Sequence, residues 1–425
     1  MDYKIKIFIL VFTIFLMPSI TSFSKESAEF SNASTSQKID ILAEEIEKLK
    51  NQELFGGELG SQNGFGPAAS KVYNTAQGLA IGGYGEIVNK SYLAGDNYDQ
   101  SDAYRGILYV GYKFDDEWSL NTEIEMEHGN ESYLEFAYVD YLPKATDGKL
   151  GARAGLLLLP LGIINEQHEP ILFHGVYRPW VENKIIPTTS RENGAGLFGS
   201  LLDKKIDYKL YYVTSWKYPG ASKTGAGMRD FRGKGSKTVS NEWATIGRAQ
   251  YNINDKTMIG FSIYDGNINP SSGVTNYKVN DARTGVRMIS AFTKGEMYGF
   301  EYAALYHENR FRHITRLNNT LTGAANTKFG KKQVGYYYEI AKDMGKYMNT
   351  SWYIAPFFRY EFLDFHDDVD SSATRNVDYQ TEYHTTGISI KPIYNVVIKA
   401  DYTRYTDGGA NGDSRLLNLG LGYVF

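Results

Sequence analysis

The stretch Arg415-Leu-Leu-Asn-Leu-Gly-Leu-Gly-Tyr-Val-Phe425 decides the fold that the sequence predicts. Counting back from Phe425, every second residue is large and apolar, whereas the residues between them are mostly small or polar. Successive side chains of a β-strand point to opposite faces, so this pattern predicts a strand with one fully apolar face. Because the strand stops on a bare Phe with no polar tail, it is best explained as closing a barrel that faces lipid. The alternative is the last strand of a soluble sandwich.

The composition favours the same class. The chain of 425 residues has 34 Tyr, 22 Phe and 43 Gly, and its mean hydropathy is only -0.39. Membrane barrels have such values because their lipid-facing and lumen-facing residues alternate and cancel. No window after residue 25 is apolar over the ~18 residues that a transmembrane helix needs. The absence of Cys excludes disulfides, thiolate metal sites, a Cys nucleophile and a lipoprotein anchor, and a net charge of -4 does not indicate a nucleic-acid partner.

The N-terminal part predicts export followed by a linker. Residues 1–24 have a basic start, a short apolar run and small residues at the cleavage positions, which is typical of a signal peptide. Residues 25–77 are predicted to be a periplasmic linker. Within it, 38–52 (KIDILAEEIEKLKNQ) places apolar residues at heptad spacing and predicts a short coiled-coil helix. Two heptads do not hold a coiled coil alone, so a solvated amphipathic helix and an oligomer-setting stalk both remain open.

Residues 78–425 predict an all-β, antiparallel transmembrane barrel of about sixteen strands. Strands recur every ~20 residues, and most connections alternate between short and long, as in bacterial outer-membrane barrels. The register of the fourth strand, near 132–142, is ambiguous. The predicted strands are 79–88, 104–114, 117–128, 132–142, 149–158, 194–202, 205–215, 242–253, 257–265, 282–293, 296–307, 331–342, 352–363, 380–390, 394–404 and 415–425.

Turning the more apolar face of each strand outward predicts the lining of the lumen. An Arg or Lys on the lipid face costs roughly 2–4 kcal/mol at the midplane, so charged residues are expected on the inner face. The predicted inward residues are Glu123, Glu125, Glu127, Arg153, Lys209, Arg248, Arg283, Arg287, Glu301, Glu339, Arg359, Glu361, Lys399 and Asp401. So many charges require water, and a ~16-stranded barrel is wide enough for an aqueous channel.

The longest connection, 159–193, lies between the fifth and sixth predicted strands. It contains apolar pairs, prolines and aromatic residues, which indicates that it packs against other parts of the protein. Its charges are of both signs, so it predicts no strong preference for cations or anions. The candidate constriction residues in this loop are Glu166, His168, Glu169, Arg178, Glu182 and Arg191.

These features resemble the trimeric sixteen-stranded porins of Gram-negative outer membranes, and more narrowly the phosphate-selective type. The resemblance covers the architecture of 78–425, and the final strand is similar to the Phe-ended strand by which outer-membrane barrels are recognised for assembly. In general porins the loop between the fifth and sixth strands folds into the barrel, which implies the same for 159–193. The inward charges are nearly balanced, whereas a phosphate channel should show an excess of Arg and Lys, so a general diffusion pore is favoured.

The sequence therefore predicts a homotrimeric outer-membrane porin for passive diffusion of small hydrophilic solutes and ions, in contact with outer-membrane lipid and lipopolysaccharide. A substrate-specific anion channel and a plugged structural or adhesive barrel remain alternatives. We expect no enzyme activity, no cofactor and no metal site, because His168 and His174 lack a ligand cluster of regular spacing. A transverse field is a further hypothesis, with the acidic third strand facing the Arg-bearing eighth to tenth strands across the pore and with Arg283 and Arg287 as the residues that would test it.

Overall fold

The computed structural model describes residues 61–75, 77–94, 98–225, 227–269, 283–409 and 413–425. The predicted signal peptide (1–24) and the predicted helix at 38–52 lie outside the described residues. Within the described ranges, no helix combines the length and the apolar character needed to cross a membrane.

Sixteen antiparallel strands form a closed barrel, as predicted. Each strand pairs with its neighbours in the sequence, and the last strand pairs with the first. The strands are β1 (Gly78–Tyr92), β2 (Gln100–Lys113), β3 (Trp118–Glu127), β4 (Glu131–Tyr141), β5 (Gly151–Leu158), β6 (Arg191–Leu201), β7 (Ile206–Thr214), β8 (Trp243–Asn252), β9 (Met258–Asn267), β10 (Gly285–Met297), β11 (Phe300–Arg312), β12 (Lys332–Ala341), β13 (Tyr353–Asp368), β14 (Gln380–Ile393), β15 (Val396–Asp407) and β16 (Asp413–Val424).

Helical structure in the described residues is short. There are two α-helices, α1 (Lys71–Asn74) and α2 (Ile314–Asn319), and one π-helical turn at Val181–Ile185. The 3-10 turns are Lys144–Thr146, Pro170–Leu172, Arg229–Phe231, Ala325–Thr327, Gly345–Tyr347 and Val377–Tyr379.

The seam between β1 and β16 follows from the alternation in the last strand. Leu419 and Leu421 are exposed on the outer wall, whereas Leu416 and Asn418 are buried on the inner wall. Phe425 continues the ladder, because its N–H donates to the Gly83 carbonyl at 2.9 Å and its carbonyl accepts from the Gly83 N–H at 3.0 Å. The final residues therefore close the cylinder.

A bulge explains the ambiguous register of the fourth predicted strand. Glu123 pairs with Phe136, but the next residue, Ile124, pairs with Leu134, so Glu135 is an extra residue in β4. A bulge of this kind breaks the period of two on which the reading of a strand depends. Its consequence here is that Glu135 is completely buried on the inner side.

Residues 61–74 pack against the inner wall instead of running free as a linker. The Phe65 ring lies 5.3 Å from the Phe136 ring between centroids, and Asn121 donates to the Ala69 carbonyl at 2.8 Å. The segment fits because β1 and β2 have glycines beneath it. A Cβ on Gly82 would lie 2.7 Å from the Ala68 carbonyl oxygen, and one on Gly111 would lie 2.6 Å from the Val72 side chain.

Candidate functional site

Most residues predicted to line the lumen do face inward. Because strand side chains alternate, the exposed Trp118 and Met126 on the outside of β3 fix the direction of the glutamates between them. The inward residues that are buried are Glu123, Glu125, Arg153, Lys209, Glu339, Arg359, Glu361, Lys399 and Asp401. Glu127, Arg248 and Glu301 are only partly exposed.

Arg283 and Arg287 are corrections to the predicted lining. Val286, Met288 and Phe292 are buried in the interior, so Arg287 lies on the outer face of β10, where its Nε is 2.6 Å from Asp265. Arg283 precedes β10, is largely exposed and pairs with Glu242. Turning the more apolar face outward fails in β10 because the lumen there is filled with apolar side chains. The transverse field hypothesis therefore loses Arg283 and Arg287, whereas Arg248 of β8 does face inward and donates to the Gly162 carbonyl.

The connection between β5 and β6 spans 159–190, since Arg191 and Glu192 already pair with β5. It lies inside the barrel, where almost all of its residues are buried, and it contacts inward side chains from β3 round to β15. We call the contacts of 159–169 with β3, β4, β7 and β8 the near-side anchor. We call the contacts of 170–185 with β10 to β16 the far-side anchor.

The near-side anchor joins the first part of the loop to acidic and basic wall residues. Glu166 pairs with Lys209 of β7, and the His168 Nε2 atom lies 3.2 Å from Glu123 of β3. Burial lowers the pKa of His168 to about 4, and the nearby Arg178 acts in the same direction.

Three wall lysines hold the far-side anchor through carbonyl groups of the loop backbone. Lys391 donates to the Ile171 carbonyl at 2.9 Å, and Lys294 donates to the Leu172 carbonyl at 3.1 Å. Lys399 donates to the Gly175 carbonyl at 2.9 Å. Bonds from charged donors are about twice as strong as neutral ones, so the lysines fix the path of the backbone across the lumen.

Arg359 is the centre of the far-side ion pairs. It donates to Glu361 at 2.8 Å, to Glu339 at 3.1 Å and to the Tyr177 carbonyl at 3.2 Å. Glu361 in turn accepts from the Val181 N–H at 3.0 Å. The guanidinium thus satisfies wall carboxylates and the loop at once, and its exposed fraction is only 1%.

His174 bonds to the far wall through both ring nitrogens. Its Nδ1 lies 2.7 Å from Glu339, and its Nε2 lies 3.0 Å from the Tyr353 hydroxyl and 3.4 Å from Glu301. Burial alone would lower the pKa of His174, but the two carboxylates outweigh burial and raise the pKa above its ordinary value.

Glu182 closes the loop on itself. Its carboxylate accepts from the Ile163 N–H at 2.9 Å, the Ile164 N–H at 2.7 Å and the Tyr337 hydroxyl at 2.7 Å. Burial raises the pKa of Glu182 to about 7, although these donors pull it the other way. This carboxylate therefore connects the two halves of the loop to β12.

A charged cluster behind the near-side anchor has incompletely paired groups. It consists of Glu86, Glu123, Glu125, Glu127, Glu135, Arg105, Arg178 and Arg191. Five carboxylates minus three guanidiniums give a formal charge of -2. Half of the buried side-chain polar atoms that lack a hydrogen bond among the described residues belong to this cluster. Sequence reasoning missed Glu86, Arg105 and Glu135, and the ambiguous register of β4 was the one signal for Glu135.

The barrel has a cavity at each end. The cavity at the end with the long loops has a volume of about 270 Å³, and its lining includes Lys90, Arg178, Arg229, Asp102 and Trp180. The cavity at the short-turn end measures about 550 Å³, and Tyr73, Asp116 and Lys149 contribute to its lining. The loop and residues 61–74 lie between the two ends.

Solved structures with this fold are porins, although their sequences are distant. OmpF of Salmonella typhi, in complex with daunomycin, has a TM-score of 0.54 at 12% identity, covering 83% of this chain and 99% of that chain. The anion-selective porin from Comamonas acidovorans has a TM-score of 0.52 at 11% identity, covering 82% and 99%. OprB of Pseudomonas putida has a TM-score of 0.52 at 9% identity, covering 82% and 94%. The likeness at this identity establishes the fold.

Comparison at the sequence level gives a nearer relative. No family model matches the chain. A protein of Aquifex aeolicus (strain VF5), described as uncharacterized, is 34% identical over 358 residues, which cover 80% of this chain and 79% of that protein. The apolar outer face is consistent with a location in the outer membrane. The chain belongs to the same family as the Aquifex aeolicus protein, and its fold is the sixteen-stranded barrel of Gram-negative outer-membrane porins.

Proposed function

We propose that the protein is an outer-membrane channel for small hydrophilic solutes and ions, with the 159–190 loop as its constriction. The observation that carries this proposal is the course of the loop, which crosses the lumen and bonds to walls on both sides. A loop fixed in this way narrows the lumen, so a channel of low conductance is favoured over a wide general pore. Sieving by width and by local charge is how such channels select solutes.

The preference that we propose is for anions at the long-loop end. Lys90, Arg178 and Arg229 contribute three positive charges to the cavity there, against one carboxylate from Asp102. Short turns face the periplasm in bacterial outer-membrane barrels, so this cavity would be the extracellular entrance. A positive cleft raises the local concentration of anions.

Planar-bilayer recording tests the channel and its constriction together. We expect small current steps from the full chain, a reversal potential on the anion side in a salt gradient, and severalfold larger steps when 170–185 is replaced by a short Gly/Ser linker. The matched control shortens 370–376, which lies between β13 and β14 and outside the loop. Equal step sizes in the full chain and in the loop variant would overturn the constriction.

A second candidate, a closed structural barrel, has its own supporting observation. Glu182 and Glu361 have no exposed surface, Arg359 has 1%, and residues 61–74 fill part of the near side. A chain that passes no current, combined with a loop variant that does, would favour this candidate over the channel.

We also propose a homotrimer, and removal of residues 1–24 as a signal peptide. The exposed Leu79, Ile81 and Leu421 give the wall around the seam an apolar surface that suits either lipid or a second copy of the chain. Outward ion pairs such as Arg310 with Glu308, near the long-loop end, suit the charged head groups of lipopolysaccharide. The mass of the detergent-solubilised protein and its N-terminal residue test these two proposals.

A further inference from the structure

Three side chains from different parts of the chain converge behind the near-side anchor. Glu123 comes from β3, Glu135 from the bulge in β4 and His168 from the loop. The His168 Nε2 atom lies 3.2 Å from a Glu123 oxygen and 3.8 Å from a Glu135 oxygen. One potential ligand atom from each residue lies within 4.8 Å of the others, and all three residues are buried.

The orientation of His168 leaves one nitrogen facing these oxygens. Its Nδ1 lies 3.0 Å from the Asn165 carbonyl, and a neutral imidazole donates there from Nδ1. Asn165 is itself fixed, because its side chain donates to the Leu159 carbonyl at 2.6 Å and accepts from the Ser190 N–H at 2.9 Å. Metal-binding histidines almost always donate their other ring N–H to a carbonyl or carboxylate in this way. In a neutral imidazole, the Nε2 lone pair then faces carboxylate oxygens, and this contact is favourable only when a proton on a carboxyl group or a metal ion lies between the atoms.

Glu123 and Glu135 each have one carboxylate oxygen that could bind a further ligand. Arg191 binds one oxygen of Glu135 at 2.7 Å. The second oxygen of Glu135 and one oxygen of Glu123 are buried and accept no hydrogen bond from a nitrogen or hydroxyl donor of the described residues, although the Glu125 carboxyl group lies within hydrogen-bond reach of Glu135. A buried acceptor left without a partner is destabilising. The surrounding charged cluster has a formal charge of -2, as counted above, which one divalent ion would neutralise.

We propose that Glu123, Glu135 and His168 bind one divalent transition-metal ion, which ties the loop to the wall. Zn²⁺ has bonds of about 2.0–2.2 Å to nitrogen and oxygen, so tetrahedral ligands lie ~3.3 Å apart, between the two distances found here. The mixture of one imidazole and two carboxylates suits Zn²⁺ or Mn²⁺, whereas Ca²⁺ takes about six to eight oxygen ligands. Arg105, Arg178 and Arg191 adjoin the site, so its affinity is lower than that of an isolated set of these ligands.

Metal titration of the full chain tests the proposal. The protein is treated with EDTA in detergent, its fold is checked by circular dichroism, and Zn²⁺ alone is titrated by calorimetry. We expect one equivalent to bind, and the Kd to rise at least ~100-fold in His168→Asn, Glu123→Gln and Glu135→Gln, because each removes a direct ligand. Co²⁺ should give the absorption bands of a tetrahedral site in the full chain and lose them in the variants.

Two matched controls keep the test decisive. His174→Asn removes the other loop histidine that the structure places against carboxylates, and Glu127→Gln neutralises a neighbour on the same face of β3. Both should keep one equivalent of Zn²⁺, His174→Asn with the Kd of the full chain and Glu127→Gln with a Kd changed only a few-fold, because it lowers the charge of the cluster but removes no ligand. If Glu135→Gln does not fold because Arg191 loses its partner, Zn²⁺ binding to His168→Asn decides whether the site exists. Binding that is absent from the full chain, that survives in His168→Asn, or that is lost equally in His174→Asn overturns the site. Because metal binding is measured without recording a current, a barrel that passes no current would contradict the proposed channel but not the metal site.

Discussion

The near-side and far-side anchors hold the same loop in different ways, and their two histidines show the contrast. His174 uses both ring nitrogens on wall residues of the far side, whereas His168 bonds to a loop carbonyl and faces carboxylates. On the far side, Arg359, Lys294, Lys391 and Lys399 match four wall carboxylates in number: Glu301, Glu339, Glu361 and Asp401. The near side has an excess of carboxylates. We infer that the far side fixes the loop, while the near side has room for a cation.

Replacing Arg359 with Met should have the largest effect, because it leaves buried carboxylates of Glu339 and Glu361 without their partner. Breaking a buried ion pair from one side costs about 3–5 kcal/mol. Urea unfolding, followed by tryptophan fluorescence, should show a loss of this size. The matched control is Arg287→Met, whose solvent-accessible pair with Asp265 is worth about 1 kcal/mol or less. Equal losses of unfolding free energy in the two variants would contradict the contrast between buried ion pairs and a surface ion pair.

His174→Asn should have an intermediate effect, since it removes a hydrogen-bonding partner of charged groups, worth about 1.5–3 kcal/mol. The sign of its pH dependence follows from the raised pKa of His174. The folded protein holds the proton more tightly than the unfolded chain does, so the stabilisation is complete below ~6.5 and is lost as pH rises through the folded pKa. Glu301, Glu339 and the Tyr353 hydroxyl are the groups that face this ring.

Protease cleavage within 170–185 reports how firmly the far side is held at each pH. Cleavage should accelerate as pH rises above ~6.5, the ordinary pKa of histidine, in the parent chain and in His168→Asn, and the acceleration should be absent from His174→Asn. Glu182 adds a second pH dependence below pH 7. Because its pKa is raised to about 7, its contribution to stability decreases as pH rises from ~4.5 to 7. A pH response that persists in His174→Asn above pH 7 would assign the effect elsewhere.

Glu125→Gln should have the smallest effect and sharpens the comparison from the near side. Glu125 lies beside the Glu135 carboxyl group, and its ion pair with the Arg105 Nε, at 3.3 Å, is longer than the pairs of Arg359 on the far side. Neutralising it should change the unfolding free energy by no more than about 1 kcal/mol, the range of a net hydrogen bond. A loss above roughly 2 kcal/mol would show that this carboxylate is as firmly paired as those of the far side.

The outer face of the barrel could be predicted from the sequence because lipid requires apolar side chains on the outward face of every strand. Alternation found all sixteen strands, and it placed Glu123, Arg359 and Lys399 inside. The rule fails in β10, where Met288 and Phe292 meet an apolar interior and Arg287 meets Asp265 outside. A sequence read strand by strand contains no sign that the interior beside β10 is apolar.

The contacts of the loop could not be predicted, because their partners are distant in the chain. Lys399 meets the Gly175 carbonyl 224 residues away, and Val181 meets Glu361 180 residues away. The proposed ion site departs from the expectation of no metal for the same reason. Its ligands come from a strand, a bulge and a loop, so no regular spacing in the sequence indicates them. The length and apolar content of 159–193 predicted that it would pack, but they contained no information on where.

The position of residues 61–74 has a consequence for the order of assembly. Gly82 and Gly111 leave room for this segment on the inner wall, and Glu169 accepts from the Ala68 and Ala69 N–H groups at 3.0 and 3.1 Å. Once β16 has paired with β1, the segment is enclosed by the closed barrel. Placing it afterwards would mean inserting Phe65 between the wall and a loop that is already in position. We therefore expect residues 61–74 to be captured while the sheet is still open, before the seam forms.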